Sequence, residues 1–185
     1  MKIHATVVAR IAMLSALVVV FDYTMKFSGK IPFPWLPFLK FDFTGIPIIL
    51  SLLILGLSGG ASTSLVAFLA ILVRSGDFVG ASMKALAEFS TVLGFYLGGN
   101  IFKEKPRLAR TFSYILGCVM RIVIMFISTI PVFTLYYGMP LSTTLAISPL
   151  VAVFNLAHGF LSIFGGNLLY EAIKRREPSL VSKQK

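Results

Sequence analysis

The amino-acid sequence predicts an all-α membrane protein of six transmembrane helices with both termini in the cytoplasm. Three observations predict it. First, 57% of the 185 residues are hydrophobic and only 13% are charged, where soluble domains average roughly a quarter charged. The mean hydropathy is +0.89, more than a soluble domain of this size can bury, which leaves almost no room for a soluble enzyme or a disordered chain. Second, the apolar residues gather into runs near the roughly 20 residues needed to cross a bilayer. Third, Lys and Arg collect in alternate connections, the pattern that orients membrane proteins. A net charge of +10 would also suit a nucleic-acid binder, but the charges are too few and too scattered to track phosphates, so no nucleic-acid partner is expected. The one cysteine, Cys118, allows no internal disulfide and fits no zinc pattern.

The first span covers about 5–25. No small-residue cleavage site follows it, and it is longer than the apolar core of a signal peptide, so it reads as a retained helix. Pro32, Pro34, Trp35 and Pro37 then predict an extended, partly aromatic loop. Residues 43–73 carry no charge and are too many for one span. Ser58, Gly59, Gly60 and Ala61 supply turn chemistry near the middle, which predicts two short helices, 43–57 and 61–73. Arg74 to Asp77 form a polar break, and a fourth helix follows at about 81–102. A charged loop with Pro106 leads to a fifth helix at about 111–137, interrupted by Arg121 and Pro131. Gly138, Met139 and Pro140 make a turn. The sixth helix covers about 143–173, with Pro149 marking its start or a kink, and a basic tail begins at Lys174. The whole chain, 1–185, reads as one six-helix domain.

Charge parity supports this division. With six spans, Lys2, Arg10, Lys103, Lys105, Arg107, Arg110, Lys174, Arg175, Arg176, Lys183 and Lys185 share one side. The other side has Lys26, Lys30, Lys40 and Arg74. The richer side is cytoplasmic by the positive-inside rule. A single helix over 43–73 would set the basic clusters on opposite faces.

Polar side chains within spans are costly and need a reason. Lys84 and Glu88 lie four apart on one helix face; they can form a mutual ion pair or the polar wall of a cavity. Asn155 and His158 lie three apart on helix six, as interhelical glue or as donors and acceptors for a planar ligand edge. Arg121 lies too deep to snorkel easily. It calls for Glu88 or Asp22 as a carboxylate partner, or it anchors a ligand. Asp42 and Thr44 before an apolar run read as a helix N-cap. Ala12 and Ala16 on helix one allow close approach of another helix, inside the bundle or from a partner. No nucleotide loop, HExxH motif or nucleophile–base set occurs, so neither an enzyme nor a cofactor is expected. Few coupling carboxylates favour a binding subunit driven by a separate motor.

Several segments together resemble the substrate-binding S components of energy-coupling factor (ECF) vitamin transporters, and among them the riboflavin-specific type. Leu39-Lys40-Phe41-Asp42-Phe43-Thr44-Gly45-Ile46-Pro47 is similar to the family's motif entering helix two. Tyr136-Tyr137-Gly138-Met139-Pro140 resembles its turn between helices five and six. Phe154-Asn155-Leu156-Ala157-His158-Gly159 resembles its helix-six Phe-Asn-Leu-x-Lys-Gly, with His158 where the family has Lys. Ala12 and Ala16 match its helix-one Ala-x-x-x-Ala.

The resemblance implies an ECF S-component-like bundle in the plasma membrane. It would bind riboflavin from outside and work with a transmembrane coupling subunit and two ATPase subunits. Asn155 would bond the isoalloxazine edge, Ala12 and Ala16 would meet the coupling subunit, and Trp35, Phe38 and Leu39 belong to the loop over the ring. An S component for another vitamin, such as pantothenate, would use Arg121 or Lys84 for a carboxylate. A scaffold protein would use the same polar residues only as glue.

Overall fold

Polar and proline-rich breaks divide the apolar chain into six bundle helices, and the computed structural model describes residues 5–181. The helices are α1 (Ala5–Ser28), α2 (Gly45–Leu55), α3 (Leu57–Ser75), α4 (Phe78–Ile101), α5 (Pro106–Pro131) and α6 (Leu141–Arg176). A short α7 (Pro178–Val181) follows. Between α1 and α2 the chain forms an antiparallel hairpin of β1 (Ile31–Phe33) and β2 (Leu36–Phe41), with an irregular register between Pro32 and Phe33.

Adjacent helices run in opposite directions. Ser51 of α2 accepts a hydrogen bond from Thr63 of α3 at 2.9 Å, so the chain doubles back between them. Gly94 and Gly98 of α4 lie against Gly117 and Ser113 of α5, in antiparallel order. Gly159 of α6 faces Arg121 of α5, while Arg110 near the start of α5 bonds Glu171 near the end of α6. One end of the bundle therefore carries the hairpin, and the other carries Arg10, Lys103, Lys105, Arg107, Arg110 and Lys174 to Arg176. Lys2, Lys183 and Lys185 lie outside the described residues.

Small residues bring α4 and α5 together. A Cβ on Gly94 would sit 2.9 Å from the Gly117 Cα, and one on Gly98 would sit 2.7 Å from the Ser113 Cα. The two glycines are one turn apart on α4, so the backbones touch with no side chain between them. Val18, Ile48, Ile49, Leu52, Val92, Phe95 and Ile163 fill the centre where α1, α2, α4 and α6 converge.

Among the described residues, four helical segments are long and apolar enough to cross a membrane: Ala5–Ser28, Leu57–Ser75, Pro106–Tyr136 and Leu141–Arg176. The 24-residue α4 carries Lys84 and Glu88. Only 11 residues make up α2, because the segment before it enters the bundle before the helix begins. Gly45, its first residue, packs on Glu88 and Ser162, and a Cβ there would overlap both side chains. Glu88 is roughly three turns into α4, so α2 starts deep.

Several sequence-based expectations need correction. The loop after α1 contains strand pairing, so the fold is not purely helical. The break within the uncharged stretch falls at Gly56, whose φ of 77° suits a residue without a Cβ, and Ser58 to Ala61 lie inside α3. Pro106 starts α5 at a position where a missing N–H costs nothing. After Pro131 the chain continues as a π-helical turn, Val132–Tyr136. The sixth helix runs through Pro149 without ending. The residue capping α2 is Thr44, which makes no side-chain cap bond; Asp42 accepts instead from the Thr44 amide at 3.1 Å and hydroxyl at 2.6 Å.

Gly98→Leu should separate α4 from α5 and cost about 1–3 kcal/mol through overpacking. A thermal melt in detergent reads this as a lowered midpoint; an unchanged midpoint would show that the glycine contact is dispensable.

Candidate functional site

A charge ladder of alternating sign crosses the hairpin end of the bundle. Arg74 at the end of α3 donates through two nitrogens to Asp22 of α1, which is fully buried. Lys30, just before β1, lies 3.1 Å from Asp22 and 3.5 Å from Asp42. Lys84 of α4 lies 2.9 Å from both Asp42 and Glu88. Glu88 then lies 3.1 Å from Arg121 of α5.

Arg121 is 1% exposed. Beyond Glu88 it donates to the Thr91 hydroxyl at 3.2 Å, the Ala87 carbonyl at 3.4 Å and Asn155 Oδ1 at 3.2 Å. The Asn155 amide donates to the Val151 carbonyl at 2.9 Å, which fixes which end of the amide faces Arg121. One turn further along α6, His158 Nε2 lies 3.3 Å from Lys84 Nζ and 3.2 Å from the Asp42 carbonyl. Gly159 makes room for Arg121: a Cβ there would come within 3.0 Å of the arginine stem.

A cavity of about 550 Å³ opens beside this cluster. Its polar lining includes Lys30, Asp42, Lys84, Arg121, Asn155 and His158. The walls between include Met83 of α4, Met125 and the small Thr129 of α5, Phe133 of the π-helical turn, Tyr137, Val151 and Phe154 of α6, with Phe38 and Leu39 from β2. Phe38 meets Phe133 edge to face at 6.0 Å, and Phe133 meets Tyr137 at 5.9 Å, so aromatic rings from both sides meet near the mouth. The result is a slot with sulfur-rich and aromatic walls and a strongly polar cluster around Lys84, Arg121, Asn155 and His158, with Lys40 and Asp77 also on its lining.

The residues singled out from the sequence divide clearly. Asn155, His158, Lys84, Arg121, Asp42, Phe38 and Leu39 line the cavity together. Glu88 does not: it stands behind Lys84 and Arg121 and holds both. Trp35 does not either; it is 65% exposed, with its ring edge on Phe33. Asp22 pairs with Arg74 and Lys30, not with Arg121. Ala12 and Ala16 face outward, while Ser15 and Val18 on the same helix are buried. Among residues not singled out, Met83, Met125 and Thr129 carried no signal, because in a span they read as ordinary apolar or small positions. Tyr137 and Phe154 stood within quoted motifs without a role of their own. A second cavity at the basic end, lined by residues including Arg10, Tyr96, Asn100 and Tyr170, holds none of the predicted site residues.

Residues 6–170 match the family described as "ECF transporter, substrate-specific component". A solved structure described as "Structure and mechanism of the S component of a bacterial ECF transporter" superposes with a TM-score of 0.76 at 26% identity, covering 92% of this chain and 96% of that one. None of the curated proteins matches the sequence.

Glu88→Gln removes the counter-charge shared by two buried cations, a change that costs about 3–5 kcal/mol in such settings. The variant should unfold at lower temperature, and adding Arg121→Met should recover part of the loss. Equal stability of Glu88→Gln and the parent would show that the ladder carries no weight.

Proposed function

Since this chain belongs to the substrate-specific components of ECF transporters, we propose that it is the membrane subunit that captures riboflavin from outside the cell. Components of this family sit in the membrane and work with an ECF transmembrane subunit and an ATPase module. The chain is a transport subunit, not an enzyme. In the proposed topology all six bundle helices pass through the plasma membrane, the hairpin faces outside and the termini lie in the cytoplasm. The placement of Arg10, Lys103, Lys105, Arg107 and Arg110 at the end opposite the hairpin supports it.

One observation carries the ligand assignment: the slot has apolar and aromatic walls beside a cluster of polar side chains, Lys84, Arg121, Asn155 and His158. At about 550 Å³ it falls within the roughly 300–1,000 Å³ usual for small-molecule sites. An isoalloxazine ring has the matching chemistry, with an apolar dimethylbenzene end and a polar pyrimidine-dione edge. Asn155, His158 and Arg121 would receive that edge, Met83, Met125, Phe133 and Phe154 would enclose the ring, and Phe38 and Leu39 would cover it. Glu88 enters the site only through Lys84 and Arg121.

A second reading, an S component for a carboxylate vitamin such as pantothenate, is favoured by the ladder's four cations against three carboxylates. Riboflavin is preferred because Lys84 and Arg121 are already paired with Asp42 and Glu88. A scaffold role gives no reason to keep an open slot beside buried charges.

The outward-facing Ala12 and Ala16 are proposed to receive the coupling subunit. Purified protein should be yellow with riboflavin, and Asn155→Ala should weaken riboflavin binding by calorimetry about tenfold, as loss of a buried polar contact does. Colourless protein that neither binds riboflavin nor quenches its fluorescence would exclude the assignment. Ala12→Leu with Ala16→Leu should abolish capture of the coupling subunit and leave riboflavin binding intact; retained capture would place the contact elsewhere.

A further inference from the structure

We infer that His158 meets the cargo as a neutral imidazole protonated on Nδ1, and that Lys84 fixes this tautomer. The inference rests on the reading of the cavity as the cargo site.

An ammonium group has three N–H donors and no acceptor. Lys84 Nζ has three neighbours at bonding distance: Asp42 Oδ1 and Glu88 Oε1, each at 2.9 Å, and His158 Nε2 at 3.3 Å. The first two take one hydrogen each, so the third points at Nε2. Nε2 can receive it only as a bare acceptor, which puts the ring proton on Nδ1. A doubly protonated ring would turn an N–H toward Lys84 and add another cation beside Arg121. The competing tautomer, with Nε2–H facing the Asp42 carbonyl at 3.2 Å and the Asp42 carboxylate at 3.6 Å, sets that N–H against the third hydrogen of Lys84.

Nδ1 is the ring nitrogen left over. His158 is 1% exposed, and its Nδ1 is buried without a hydrogen-bond partner. Phe41 and Phe154 pack edge-on to the ring at 5.7 and 5.4 Å and hold it in place without offering a polar atom. A buried donor left unmade is destabilising, and His158 lines the cavity. The atom that completes it is an acceptor on the cargo, a carbonyl oxygen or an unprotonated ring nitrogen. Lys84 acts through His158 and is a positioning residue.

The test is nitrogen NMR on the full chain in nanodiscs, labelled at histidine, with His4→Gln to leave one signal. The ligand-free protein should show the Nδ1–H tautomer, and riboflavin should shift the Nδ1 resonance. Lys84→Met should move the population toward Nε2–H, a response that a purely structural role would not produce. His158→Asn, whose amide nitrogen overlays Nδ1, should bind riboflavin within a few-fold of the parent, while His158→Gln should bind about tenfold more weakly. An Nε2–H or doubly protonated ring in the ligand-free protein would overturn the inference. So would riboflavin binding, followed by its fluorescence, with no change at Nδ1. Absence of riboflavin binding would instead refute the riboflavin reading, and the ligand-free spectrum would still decide the tautomer.

Discussion

The alternating ladder from Arg74 to Arg121 is the interaction on which the rest of the site depends. Each isolated charge would be costly in a bundle surrounded by lipid. Arranged as Arg74, Asp22, Lys30, Asp42, Lys84, Glu88 and Arg121, every charge has an opposite neighbour. The ladder draws on α1, the segment before β1, the entry to α2, α3, α4 and α5. It therefore fixes where the hairpin sits relative to the helices. It also leaves a row of polar atoms beside the apolar and aromatic walls of the slot.

A depth constraint accompanies the charge constraint. Asp42 can reach Lys84 only because the chain enters the bundle before α2 begins. The missing side chain of Gly45 lets that entry pass between Glu88 and Ser162. The 11-residue α2 then runs on toward the basic end of the bundle. A longer α2 would raise Asp42 away from Lys84 and break the ladder at its middle. The short helix and the buried aspartate are two aspects of one arrangement.

Much of this was legible in the sequence, and the reasons are physical. Hydropathy located the helices because lipid demands long apolar runs, and charge parity distinguished a hairpin from one long helix. Lys84, Glu88, Arg121, Asn155 and His158 stood out because polar groups in spans require partners. The break at Gly56 was obscured by the stronger turn signal of Ser58 to Gly60, whose small residues serve packing: a Cβ on Gly60 would crowd Val92 at 2.9 Å. Asp42 looked like a helix cap because local spacing cannot reveal a lysine on another helix. Glu88 read either as the ion-pair partner of Lys84 or Arg121 or as a cavity wall, and it pairs with both cations. Trp35 looked like a cover because its sequence neighbours are, yet the hairpin points it outward. The methionine walls gave no signal, since a lipid-facing and a cavity-facing Met have the same sequence pattern.

The central claim is that the slot at the hairpin end receives a flavin ring with its polar edge on α6. An experimental structure of the chain with riboflavin tests it most directly. The account predicts ring density between Met83, Met125 and Phe154, with the dione edge within hydrogen-bond distance of Asn155 and His158. Ring density at the basic-end cavity, or an inverted ring with its dimethylbenzene end on Asn155, would contradict it.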